Sequence, residues 1–183
     1  MARVALLVAE GFSEPEVRAV FDRLPAANHR IFVIGPQVGA TLRADTGRYA
    51  ITVEDSPDAV DPSTIDAVVV PGGGSPDHLR TDAGTVQFLR EAYGLGRWIA
   101  AIGHGPSLLI EAEAVAGHRL TSAPAIRTDL RNAGARWEDR ALVEDGPLIT
   151  ARGSIAVDAW MDALLRRLRP DRSTRAGTMP PPA

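Results

Sequence analysis

The sequence predicts an α/β domain with a mostly parallel central sheet and helices on both faces. Three observations predict it: short apolar runs that read as strands buried on both sides, segments of helical spacing between them, and glycine- or proline-rich turns where the runs end. A chain of 183 residues is long enough for one sizeable core and short for two, so residues 1–168 are read as a single domain.

Val4 to Ala9 is a nearly continuous apolar run that Gly11 breaks, which fits the first strand. From Glu14 the spacing becomes helical, with Val17, Val20, Phe21 and Leu24 on one stripe and Pro15 acceptable in a first turn. Arg30 to Ile34 is a second strand, closed by Gly35-Pro36. A hairpin follows, Thr41 to Ala44 and Tyr49 to Val53 around Asp45-Thr46-Gly47. Ile65 to Val70 is another buried strand, ending in Pro71-Gly72-Gly73-Gly74, a loop whose bare backbone can approach a ligand.

Asp82 to Tyr93 reads as a helix and Trp98 to Ile102 as a strand. Gly103-His104-Gly105-Pro106 then turns sharply into a helix from Ser107 to about Val115, the strand-turn-helix context of a nucleophile elbow. Beyond it the pattern gives a short strand near Leu120, a helix from Ala125 to Ala133, β segments at Ala141 to Glu144 and Leu148 to Ala151, and a closing helix from Ile155 to Leu168. Residues 169–183 are rich in Pro and Arg without apolar periodicity. They are expected to be disordered or packed on a neighbour.

Composition narrows the function. The net charge of -3 offers no broad positive field, so nucleic acid is not an expected partner and small molecules are. All 20 basic residues are Arg, which is read as compositional bias. The absence of cysteine excludes disulfides, thiolate metal sites and a cysteine nucleophile. No apolar run approaches the ~20 residues of a membrane span, and the first residues lack the form of a leader, so the expected compartment is the cytoplasm.

In parallel α/β sheets ligands gather beyond the carboxyl ends of the strands, where Glu10 to Glu16, Pro71 to Asp77 and Gly103 to Pro106 should meet. The glycines at 72–74 lack the Walker lysine and dinucleotide spacing, so their value lies in amides able to hold an oxyanion. His104, in the elbow, is either a proton carrier or structural. Glu16, in a first helical turn, answers the helix dipole or is a buried carboxyl of raised pKa. Asp77 alone reads as a turn or cap residue. His29, His78 and His118 show no metal-ligand clustering and are read as surface residues, so neither a metal nor another cofactor is expected.

Together AEGFSEPE (9–16), DAVVVPGGGSPDHLR (66–80), AIGHGP (101–106 with Ala100 before them), LTSAP (120–124) and DGPLITARG (145–153) resemble the ThiJ/PfpI superfamily, whose fold is a flavodoxin-like sandwich of the class I glutamine amidotransferase type. In that pattern a cysteine occupies the elbow, and here Gly103 stands in its place. The resemblance implies Glu16 as the elbow-facing acid, His104 as its histidine, Asp77 as an acid supplied by a partner subunit, and the amides of Gly73 and His104 as oxyanion donors. A homodimer or higher oligomer follows from that role of Asp77.

A glycine at the elbow removes the covalent route and leaves room beside Glu16 and His104. The expected activity is therefore cofactor-independent acid/base chemistry, whether hydration, hydrolysis, elimination or isomerisation, on a small organic metabolite. The alternative is a non-catalytic small-molecule binding or sensor protein on the same fold.

Overall fold

The computed structural model describes residues 1–169. The expectation for the Pro/Arg-rich tail falls, from 170 onward, outside the described residues. In chain order the elements are β1 (Arg3–Leu7), α1 (Glu14–Ala26), β2 (Arg30–Ile34), β3 (Thr41–Arg43), β4 (Ala50–Thr52), β5 (Ala67–Val70), α2 (Ser75–Leu79), α3 (Ala83–Gly94), β6 (Trp98–Ile102), α4 (Pro106–Glu111), β7 (Arg119–Leu120), α5 (Arg127–Asn132), β8 (Arg136–Trp137), β9 (Leu142–Asp145), β10 (Leu148–Ala151) and α6 (Val157–Arg167).

Six strands form the central sheet in the order β2-β1-β5-β6-β10-β9, parallel except for the edge strand β9. The register sets Ala5 opposite Phe32 and Val68, and Val69 opposite Ala100. Because successive side chains alternate faces, Val4 and Leu6 join one core while Ala5 and Leu7 join the other. On the first face α1 and α6 pack Val17, Val20 and Leu24 with Trp160, Met161 and Leu164. On the second, α3, α4 and α5 supply Phe88, Leu89, Leu108, Leu109 and Leu130. Each such side chain, fully withdrawn from water, contributes about 1.5–3 kcal/mol.

The helix expected from Asp82 begins at Ala83 because Asp82 is its cap, its Oδ2 accepting from the Thr85 amide at 2.8 Å. The helix expected from Ser107 to Val115 stops at Glu111, since Glu113 turns left-handed (φ 58°) and folds Ala114 and Val115 into the core as loop residues. The segment expected as a helix from Ala125 opens with a 3-10 turn at Pro124–Ile126, and α5 follows. The hairpin β3–β4 stands as its own two-stranded sheet. It is tied to the loop after β1 by Gly11 N–H to Arg43 O (2.9 Å) and Asp45 N–H to Phe12 O (2.8 Å).

Strand order reverses direction of growth between β1 and β5: β2 lies on one side of β1, and β5 on the other. Such a switch point opens a crevice between the loops that leave the two strands. Those loops, with the elbow after β6 and the turn after β10, build the candidate site.

Candidate active site

The loops after β1 and β5 are stitched together by backbone alone. Gly74 N–H donates to Gly11 O at 2.7 Å and Ser13 N–H to Gly72 O at 3.2 Å, while the buried Ser75 hydroxyl accepts from Ala9 N–H at 2.8 Å. Ser75 also opens α2, a helix where the sequence suggested a loop, and Asp77 sits in its first turn. This close approach requires glycine. At Gly73, with φ 73°, a Cβ would lie 2.3 Å from Gly11 O.

Glu16 rises from the first turn of α1 into the space beneath these loops and is 3% exposed. Its Oε2 accepts from the Gly72 amide at 2.7 Å, and its Oε1 from the Ser154 hydroxyl at 2.9 Å. Ser13 Oγ stands 3.4 Å from Ser154 Oγ. Burial pushes the Glu16 carboxyl above the ordinary glutamate range, and the hydrogen bonds from Gly72, Ser154 and Ser13 only partly oppose it. Of the two readings open for Glu16, the geometry selects the buried carboxyl.

The elbow follows β6. Gly103 has φ 62°, its N–H donates to Ala151 O at 3.0 Å, and its carbonyl accepts from Ala123 N–H at 2.8 Å. A Cβ built on Gly103 would face Glu16 Oε1 at 3.5 Å, with Gly72 Cα at 3.9 Å and Gly153 Cα at 4.0 Å. These are ordinary contact distances, so the open side of Gly103 looks onto the acid and has room for at least a small group. Gly105 is steric, since a Cβ there would stand 2.3 Å from Val70 O.

Among the described residues neither the Gly73 nor the His104 amide donates to a protein acceptor. Both border Gly72, whose missing Cβ would lie 3.2 Å from His104 N. A buried carboxyl of raised pKa, two amides without a protein acceptor and the Gly103 turn thus converge at the carboxyl end of the sheet, an arrangement suited to a ligand oxygen that gains negative charge.

Two residues sit less centrally. The His104 imidazole is exposed and makes no hydrogen bond among the described residues. Asp77 is also exposed, beside Arg80, Thr81 and Glu111 in a shallow hollow between α2 and α4, and no hydrogen bond joins it to His104. The chain therefore brings Glu16, Gly73, Gly103 and the His104 backbone together, and among the described residues no hydrogen bond joins Asp77 to them.

Sequence reasoning missed Ser154, Ser13 and the Gly72 amide as partners of Glu16. The available signal for Ser154 was its position just past a strand end on the side where ligands gather. It also placed His118 on the surface. Instead His118 is half-buried, its Nδ1 3.3 Å from Asp145 Oδ2 and its Nε2 2.8 Å from the Tyr93 hydroxyl. His29 is likewise part-buried, accepting from Ala2 N–H at 3.0 Å. His78 is exposed, as expected.

The profile of the DJ-1/PfpI family matches residues 2–167. The chain is 36% identical over 167 residues to protein/nucleic acid deglycase 2 of Escherichia coli, covering 91% of this chain and 97% of that one. It is 32% identical over 169 residues to deglycase PfpI of Pyrococcus furiosus, covering 91% and 99%. Among solved structures, Drosophila melanogaster DJ-1beta superposes with a TM-score of 0.84 at 27% identity, over 91% of this chain and 90% of that one. A two-domain protein from Anabaena variabilis, with DJ-1/ThiJ/PfpI-like and ferritin-like domains, superposes with a TM-score of 0.90 at 34% identity. The match spans 97% of this chain and about half (52%) of that longer one.

Proposed function

The chain belongs to the DJ-1/PfpI family, and from that premise we propose that it is a cofactor-independent enzyme acting on a small organic carbonyl compound or its adduct by acid/base chemistry without a covalent intermediate. The observation that carries this reading is the Glu16 carboxyl, buried, raised in pKa and set 3.5 Å from the position of a Cβ on Gly103. The names of the deglycase relatives support a role on small-molecule adducts in general. Hydrolysis is the step that best suits this site among hydration, hydrolysis, elimination and isomerisation.

In this mechanism the substrate carbonyl oxygen receives the Gly73 and His104 amides, which stabilise the charge it develops. The carbonyl carbon lies over Gly103, where no side chain obstructs it. Glu16, whose raised pKa favours the protonated form, gives its proton to the departing group and recovers one from the incoming water. His104, on the solvent side, relays protons to bulk water. Asp77 orients His104 only across a subunit boundary, so we also propose a homodimer. Among the described residues no helix is long and apolar enough to cross a membrane, and we propose a cytoplasmic setting.

The test is turnover of a panel of small aldehydes, ketones and their amine adducts. Glu16→Ala is expected to lower kcat by about 100-fold or more, the usual contribution of a positioned proton donor. An unchanged rate in that variant removes the mechanism. One observation favours a second reading, a binding or sensor protein: the His104 ring has no orienting partner among the described residues. Saturable binding of a carbonyl compound that is returned chemically intact would establish that reading over the first.

A further inference from the structure

At the opposite end of the sheet from the elbow, a cleft of about 360 Å³ is walled by Asp66, Gly96, Arg97, Trp98, Arg167 and Arg169, among others. Arg97, Arg167 and Arg169 line it with a single carboxylate, Asp66, in a chain whose net charge is -3. Asp66 is already engaged, its Oδ2 accepting from the Arg3 amide at 2.7 Å. We propose that this cleft is a binding site for a small phosphomonoester, separate from the elbow and independent of the activity assigned to it.

The helix dipole accounts for part of the charge. Arg166 and Arg167 close α6, where a helix end favours cations, and both pair with Glu144 at 2.7 and 2.9 Å. It does not account for Arg97. That guanidinium reaches across the cleft wall and is anchored by Nη2 donating to Ser63 O at 2.7 Å. No ion pair to Arg97 occurs among the described residues; Asp61 senses its charge without pairing. An arginine held in place by a neutral carbonyl keeps its full charge, and with Nε buried and Nη2 already bonded it is Nη1 that remains for a ligand.

The arrangement selects a dianion. One carboxylate ligand would be satisfied by one guanidinium fork, whereas a phosphate presents three acceptor oxygens and takes several forks at once. The Arg167 guanidinium also lies 4.8 Å from the centre of the Trp98 ring, which fixes it against a flat apolar wall. The cleft is of a size that holds a phosphate and a short carbon skeleton, at the small end of ligand sites.

Calorimetric titration of the full chain with inorganic phosphate, against chloride at matched ionic strength, tests the site. One saturable phosphate per chain is expected, with affinity lowered about ten-fold or more in Arg97→Gln and in Arg167→Gln. Arg97→Lys should retain most of it, which separates lost charge from lost folding, and a thermal melt of each variant checks that it is folded. Glu16→Gln should bind phosphate as the parent does. Absence of saturation, parent-like affinity in either glutamine variant, or loss of binding in Glu16→Gln overturns the proposal.

Discussion

Two carboxylates at opposite ends of the same sheet show how position decides protonation. Glu16, under the elbow, is almost wholly removed from water, and burial raises its pKa despite the donors around it. Asp145, the last residue of β9, remains partly solvated and is lowered, first by the Arg119 amide at 2.7 Å and then by His118. The outcome depends less on the number of donors than on how much water each carboxyl gives up. One end of the molecule uses a carboxylate as a brace within the Tyr93–His118–Asp145 chain. The other keeps a buried carboxyl whose pKa is raised.

The contrast breaks most visibly at Gly73. If the elbow end is as tightly assembled as the braced end, Gly73→Ala must drive a methyl group into Gly11 O with φ held at 73°. A loss of about 3 kcal/mol or more in denaturant unfolding is expected. A smaller effect follows at Gly103, where the same φ sign meets only ordinary contacts of 3.5 Å or more: Gly103→Ala should lose only about 1 kcal/mol. Similar losses at the two glycines would mean that the room beside Glu16 is not there.

The third effect is smaller and lies in its sign. Asp145 has a folded pKa below its unfolded one, so its stabilisation is present above the unfolded value and is lost as pH falls through the folded value. Asp145→Asn should therefore be destabilised by about 1 kcal/mol near neutrality, with the gap to the parent closing in acid. Glu16 has the reverse shift, so stability it gives below its unfolded value is lost as pH rises through its folded one. Relative to the parent, Glu16→Gln should gain stability as pH is raised from about 4 to 8. Melting temperatures from about pH 2 to about pH 8 check both, and parallel trends in the two variants would erase the contrast.

The strands were legible because each is a short apolar run with a turn signal after it. The close approach of Pro71 to Gly74 was legible from glycines alone. The helix after the elbow was overextended because Ala112, Ala114 and Val115 are apolar for a different reason: a left-handed Glu113 buries them as loop. Glu16 could be singled out on sequence only by its family resemblance, since a carboxylate in a first turn looks the same whether it faces water or the core. Its bond to Ser154 spans 138 residues and that of His118 to Asp145 spans 27. Neither distance leaves a periodicity to read. Asp77, given by the same resemblance as an acid from a partner subunit, is exposed in α2 and makes no hydrogen bond to His104 within the described residues.

The turn at Gly103 is held on both sides of one residue, its amide by Ala151 and its carbonyl by Ala123. Such a mounting is made by the main chain alone, so a different residue there changes the chemistry at a backbone cost of about 1 kcal/mol. Exchanging the residue there refits the tool without rebuilding the frame.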